Sequence, residues 1–296
     1  MEDRPVTGRL IRPGRGLPVR ARKPAAPLSR VLARATGAAL GAPAFALALG
    51  GCILLSRTGW AVATLLTLQA VEGDGVVLLA AFGLVLCAAL LSGLVELALW
   101  AGAVPVLTAR MRGARVEAWG PIFARGVELL FAPLLGLGLL RVLVWLLLQL
   151  ASLGAAVAFL AAILAGPASA PLVLPAFFLL VAGDLLWRVA AWAAMARIGA
   201  RKEGLLQALL GSVLQVARRP AAHLLVLFVV NVALSIGGVV AGGIVAAGLG
   251  GGTPVGALLL AVLASLVAGA VLLWAMCAYT ALALDAEGAL PSGSIG

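Results

Sequence analysis

The sequence predicts an all-α fold, a polytopic transmembrane helical bundle of about six spans in three hairpin repeats with amphipathic interfacial linkers. Two observations carry this reading. The first is composition: of 296 residues, 64% are hydrophobic and 11% charged, and the mean hydropathy is +1.17. A soluble domain is about half apolar and about a quarter charged, and it needs polar side chains to cover its outside. The second is charge distribution. Nine of the 21 Lys+Arg residues lie between residues 4 and 34, and most others fall at 110–125 and 197–219, with long charge-free stretches between. The net charge of +10 therefore follows the positive-inside pattern of a membrane protein rather than a basic face laid on nucleic acid.

The elements follow in order. Residues 1–34 are basic and Pro-rich and read as a cytoplasmic tail; 35–284 form the membrane domain, and 285–296 a short C-terminal tail. A helix needs about 20 apolar residues to cross the hydrocarbon layer. The stretch 35–56 carries no charge and gives a first span. Arg57 and the apolar residues to Val71 either extend it or form a re-entrant piece, before the acidic turn Glu72-Gly73-Asp74-Gly75. A second span runs from 76 to about 108. The apolar region 131–195 is too long for one crossing and breaks at Gly166-Pro167-Ala168-Ser169-Ala170-Pro171, where two prolines remove backbone donors. The stretch from Arg219 to Asp285 has no other Lys, Arg or carboxylate and breaks at Gly250-Gly251-Gly252-Thr253-Pro254, giving spans five and six.

Each pair of spans is preceded by a helical linker, which suggests one unit used three times. The exits of the first two units read Ala109-Arg110, Gly113-Ala114-Arg115, Glu117 and Ala196-Arg197, Gly199-Ala200-Arg201, Glu203. Weak internal symmetry of this kind is common among membrane proteins. In the linker 204–219, Gln207, Gly211, Gln215 and Arg219 share one face by i, i+4 spacing, and leucines and Val213 occupy the rest. Such helices either lie in the interface or pack on the bundle. In the first case Arg30, Arg34, Arg125, Arg218 and Arg219 are candidate contacts for anionic headgroups.

Glu96, Arg141, Asp184 and Arg188 are the candidate intramembrane polar network. Ionisable groups inside a bilayer are rare and usually face protein or water. Asp184 and Arg188 are i, i+4 and share a helical face. Glu96 lies at a matching depth, and Arg141 can pair with either carboxylate. The network either handles a polar solute or fixes helix register. His223 falls at the start of span five and reads as an interfacial histidine, and Asn231 lies within that span. Gly37/Gly41, Gly238/Gly242 and Gly248/Gly252 are small-xxx-small pairs suited to close helix approach. Trp60, Trp100, Trp119, Trp192 and Trp274 include interface anchors.

One histidine cannot supply a two-histidine metal motif, and no Walker A, G-x-S-x-G or S-x-x-K sequence occurs. Cys52, Cys87 and Cys277 lie in apolar stretches without metal-type spacing. The expectation is no enzyme, no cofactor, no metal and no nucleic-acid partner. The alternation of Arg-bearing amphipathic helix and apolar hairpin, best seen in 205–232, resembles bacterial six-span membrane proteins like the membrane portion of some glycerophosphodiester phosphodiesterases. The resemblance covers spans and linkers only, and transfers no catalytic residue. The sequence reading is thus a multi-pass protein of a bacterial cytoplasmic membrane with its N-terminus cytoplasmic. Its partners would be membrane lipids, through anionic headgroups, and a membrane-protein partner. A small transporter or lipid-moving protein with a path lined by the intramembrane charges is the alternative.

Overall fold

The computed structural model describes residues 26–70, 75–114, 119–165, 170–249 and 254–286. Among them there is no strand, and eight helices follow in order: α1 (Leu28–Leu40), α2 (Pro43–Ala70), α3 (Gly75–Met111), α4 (Trp119–Ala165), α5 (Ala170–Arg201), α6 (Leu205–Arg218), α7 (Pro220–Leu249) and α8 (Pro254–Asp285). Four are long and apolar enough to cross a bilayer: α3, α4, α5 and α8. The bent pairs α1–α2 and α6–α7 raise the number to six if each pair counts as one span. The chain is a multi-pass membrane protein.

Local chemistry sets the boundaries. Proline opens α2, α7 and α8, where its missing N–H costs nothing and its fixed φ suits the first turn. Helix α3 ends in a Schellman motif. Gly113 takes a φ of 81°, its N–H bonds the Arg110 carbonyl, and the Ala114 N–H bonds that of Ala109. At the end of α5 the same left-handed region is taken by Lys202, with φ 56°. Only a sharp reversal there carries the chain from α5 into α6.

The first span departs from the sequence expectation. Residues 35–40 belong to α1, the chain bends by 79° at Gly41-Ala42, and the long helix starts at Pro43. It runs unbroken through Arg57 to Ala70, so 57–70 is not a separate re-entrant piece. No charge marks the joint, so a hydropathy scan passes over it. The linkers differ too. Helix α6 meets α7 at 101°, but residues 119–130 are not a separate interfacial helix. They are the first turns of α4, which continues unbroken for 47 residues, about 70 Å at 1.5 Å per residue. Pro133 falls inside this helix without ending it.

The buried core occupies the half of the bundle next to the Arg-rich ends. It is built from Trp100–Met111 of α3, 189–200 of α5 and 273–284 of α8, with Phe45 and Leu49 of α2 and Leu130, Leu134 and Leu137 of α4. Further toward the outer turns the same helices carry exposed side chains such as Leu79, Phe82, Leu150, Leu164, Leu179 and Leu259. Helices α3, α5 and α8 touch one another, and the short elements pack around them. Helix α1 lies on α8 and α6 lies on α5, while 119–131 lies on α3.

The α3–α4 contact follows from one proline. Pro105 removes the donor that would have satisfied the Ala101 carbonyl. That carbonyl faces Gly126 of α4, where an added Cβ would collide with it and with the Pro105 ring. One turn earlier, Phe123 fills the space beside Gly102. A second glycine contact joins α2 to α8, where Gly50 and Gly269 bring the two backbones together.

Candidate functional site

Two groups of polar residues stand out, at different levels of the bundle. The first is the sequence-expected network. Glu96 on α3 accepts a hydrogen bond from Trp100 Nε1 at 3.1 Å. Asp184 and Arg188 on α5 form an ion pair, Arg188 Nε donating to Asp184 Oδ2 at 2.8 Å. Arg141 on α4 places its guanidinium 6.0 Å from the centre of the Trp192 ring and lies in the electrostatic field of both Glu96 and Arg188. The four charges therefore gather where α3, α4 and α5 meet, and they sum to zero. Arg188 and Asp184 keep 48% and 32% side-chain exposure, so the cluster opens to the side of the bundle and is not sealed in it. Asn231 is half-buried on α7, outside this group.

Beneath the network runs a series of aromatic rings that the sequence reading assigned differently. Trp100 and Trp192, grouped there with the interface anchors, are core residues at 1% and 8% exposure. Their rings meet edge to face at 6.1 Å, and Trp192 stacks on Tyr279 at 5.9 Å. A run of ring contacts thus joins one residue from each of α3, α5 and α8. Tyr279 also stacks on His223 at 5.5 Å and donates its hydroxyl proton to the His223 carbonyl at 3.2 Å. His223, expected at the interface, is buried at 1% exposure.

The second group lies at the Arg-rich end. Arg197 grips Glu203 with Nε and Nη2 at 2.8 and 2.7 Å, the fork-to-fork geometry that suits guanidinium and carboxylate. Arg201 reaches the same carboxylate at 3.4 Å and donates to the Ala283 carbonyl at 3.1 Å. The left-handed turn at Lys202 is what folds Glu203 back under both arginines. Arg197 lies against α6 at Gly211, where a Cβ would occupy the space of its guanidinium. Arg219 bonds Asp285 at 2.8 Å, and the same carboxylate accepts the Ala26 N–H at 3.0 Å. Arg110 donates to the Gly41 carbonyl and covers the Trp119 ring at 4.6 Å.

Among the arginines named from sequence as headgroup contacts, Arg30, Arg125 and Arg218 are exposed. Arg34 is half-buried on the side of α1 turned to the bundle. Arg219 is committed to Asp285 and to the Ala26 carbonyl, at 3.4 Å. No group of three or more His, Cys, Asp or Glu suited to a metal occurs among the described residues. Comparison of the chain with family models, curated proteins and solved structures returned no match.

Proposed function

We propose that the chain is a non-enzymatic, lipid-contacting component of a bacterial cytoplasmic membrane, with its N-terminus on the cytoplasmic side. Its architecture is three copies of a linker–span–span unit. One observation carries the lipid reading. Helix α6 turns Gln215 and Ser212 inward and leaves Leu206 75% and Leu210 71% exposed. A linker helix of a water-soluble protein would do the reverse. An outward apolar face beside exposed Arg218 suits the boundary between acyl chains and anionic headgroups. Support for the repeat comes from the packing of 119–131 and α6, each on the second span of the unit before it, and of α1 on the second span of the third unit.

A nitroxide label read by its collision with oxygen or a water-soluble quencher tests this in a reconstituted bilayer. At Leu206 or Leu210 the label is expected to favour oxygen and to shun the aqueous quencher; an aqueous profile at both sites would defeat the lipid reading.

A second reading, a polar path along Glu96, Arg141, Asp184 and Arg188, draws on the lateral opening of that cluster. The two readings separate on Asp184→Asn/Arg188→Gln. If the pair fixes helix register, the double variant is expected to stay folded, its unfolding free energy within about 1 kcal/mol of the parent, since an i, i+4 pair with both side chains part-exposed contributes little on its own. Native mass spectrometry of the gently extracted protein would then give the same bound species for both. A solute present only in the parent would favour the path.

A further inference from the structure

The charged cluster between α3, α4 and α5 is unevenly satisfied. Asp184 and Arg188 hold each other at 2.8 Å, and Glu96 accepts the Trp100 Nε1–H at 3.1 Å through one of its two oxygens. Arg141 has no hydrogen bond and no ion pair among the described residues. Its ring contact, 6.0 Å from the centre of Trp192, stands at the outer limit of the cation–π range, about 6 Å. A guanidinium without a partner inside a bilayer is destabilising. It is nevertheless held beside a carboxylate. Leu97, the neighbour of Glu96, meets Gly138, where a Cβ would lie 3.3 Å from the Leu97 Cδ1, and Arg141 follows one turn later. Arg141 and Glu96 thus share an electrostatic field without touching. A Cβ at Gly93, one turn outward of Glu96, would meet nothing within 4 Å, so space remains beside the carboxylate. Both groups are only part-buried, and neither the Arg141 nitrogens nor the second Glu96 oxygen is sealed by protein.

We propose that this cluster binds a zwitterion, a phosphodiester joined to a primary ammonium. The Arg141 guanidinium donates to the phosphate oxygens, and the free Glu96 oxygen accepts from the ammonium. The charges select this chemistry. The four side chains sum to zero, so an added anion or cation alone would stand uncompensated away from water, which is strongly unfavourable. A ligand carrying both signs keeps the sum at zero. It also meets a donor-only group and an acceptor-only group side by side, and the guanidinium fork takes two phosphate oxygens at once. The surroundings place the apolar part. Trp145 and Val181, one turn toward the outer turns from Arg141 and Asp184, are 50% and 51% exposed. Trp192, against Arg141, is five residues from Arg197, about 7.5 Å of helix. Acyl chains along Trp145 and Val181 therefore point to the bilayer centre and the headgroup to the Arg-rich end, as in a lipid of the leaflet on that side. A soluble glycerophosphodiester with the same amine is the other source of this chemistry. The proposal rests on the polar-path reading only in its choice of cluster, since binding needs no passage across the membrane.

The experiment is native mass spectrometry of the full chain in detergent, offered dioleoyl phosphatidylethanolamine, phosphatidylglycerol or phosphatidylcholine at equal concentration. The expected result is one phosphatidylethanolamine retained per chain. Its retention should be about tenfold stronger than that of anionic phosphatidylglycerol or of phosphatidylcholine, whose quaternary ammonium has no N–H for Glu96; tenfold corresponds to one charge-assisted hydrogen bond. Arg141→Gln and Glu96→Gln are each expected to weaken retention by the same factor, about tenfold. The headgroup preference is read on the parent, so it tests the proposal even where a variant fails to fold, and thermal unfolding identifies such a variant. Calorimetric titration with glycerophosphoethanolamine separates the sources: saturable binding that the same variants weaken, without lipid retention, assigns the soluble diester. Phosphatidylglycerol retained as well as phosphatidylethanolamine, equal retention of all three lipids, retention unchanged in both folded variants, or no binding of lipid or diester would overturn the proposal. Asp184→Asn/Arg188→Gln separates this site from the path. It removes two of the path's charges but keeps both binding groups and the zero sum, so the lipid is expected to stay bound. Loss of the lipid there would mean that the ion pair, not Arg141 with Glu96, holds it.

Discussion

Gly269→Val is expected to cost about 3 kcal/mol of stability, at the upper end of the range for overpacking, and to loosen α8 from α2. A Cβ at Gly269 would collide with the Ala46 carbonyl and with the Gly50 backbone. From the other side, a Cβ at Gly50 would lie 2.9 Å from the Leu266 Cα. The obstacle is main chain on both sides, so no rotamer change relieves it. In lipid, where apolar burial gives helices little reason to associate, such close backbone packing is a main source of cohesion. The control is Gly37→Ala. Gly37 has nothing within 4 Å of its would-be Cβ, and replacing a helical glycine by alanine stabilises by roughly 0.5–1 kcal/mol. Reversible unfolding in mixed micelles should therefore move the two variants in opposite directions. A Gly269→Val protein as stable as its parent would mean that α2 and α8 do not meet at these glycines.

The second large effect belongs to Arg219→Ala, expected to destabilise by about 3 kcal/mol, the low end for removing one partner of a buried pair. Asp285 is only 7% exposed on its side chain, and Arg219 at 27% is its one cationic partner among the described residues. Without the guanidinium the carboxylate keeps the Ala26 N–H alone, and its charge is left poorly compensated. Asp285→Asn should cost less, because a neutral amide needs no counter-charge. The double variant Arg219→Leu/Asp285→Leu should recover part of the loss, since an apolar pair can replace a buried ion pair. A thermodynamic cycle over these variants measures the coupling directly. Strictly additive losses would mean that the two residues act separately.

Much of the helical architecture was legible because lipid imposes a simple grammar. Runs of about 20 apolar residues, interrupted at Gly-Pro clusters, mark where helices run and turn. Helices α4 and α7 end, and α5 and α8 begin, at the proline and glycine breaks that the sequence predicted. What hydropathy cannot see is a joint between two apolar helices, and Gly41-Ala42-Pro43 was read through for that reason. Proline at a helix start was the available cue. The polar face of α6 was legible from the i, i+4 spacing of Gln207, Gly211, Gln215 and Arg219, but periodicity does not say whether a face turns inward. Gln215 is buried there, while Gln207, two turns earlier on the same face, stays exposed.

Of the glycine pairs read as a motif, Gly238/Gly242 and Gly248/Gly252 lie outside the residues whose surroundings are described. In the pair Gly37/Gly41 a Cβ at Gly37 would meet nothing within 4 Å and one at Gly41 would meet the Arg110 guanidinium, while the close helix approaches fall at Gly50, Gly126, Gly199 and Gly269. Each depends on what a distant helix presents, a carbonyl or a Val104 side chain, and sequence spacing carries no record of that. For the charged cluster, the i, i+4 rule gave the Asp184–Arg188 pair in full. The convergence of Trp100, Trp192 and Tyr279 needed three helices at once.

The bond between Ala26 and Asp285, 259 positions apart, sets an order of events during synthesis. Helices α1 and α2 emerge first, but each takes much of its packing from α8, which emerges last. Roughly 200 residues must be translated between the end of α2 and the end of α8, about 10–40 s at 5–20 residues per second. Over that interval the nascent α2 has only α3 as a major neighbour, and the glycine face meant for α8 stays open to lipid or to the insertion machinery. Emergence of α8, rather than insertion of α1 and α2, is the moment at which these helices close into the bundle.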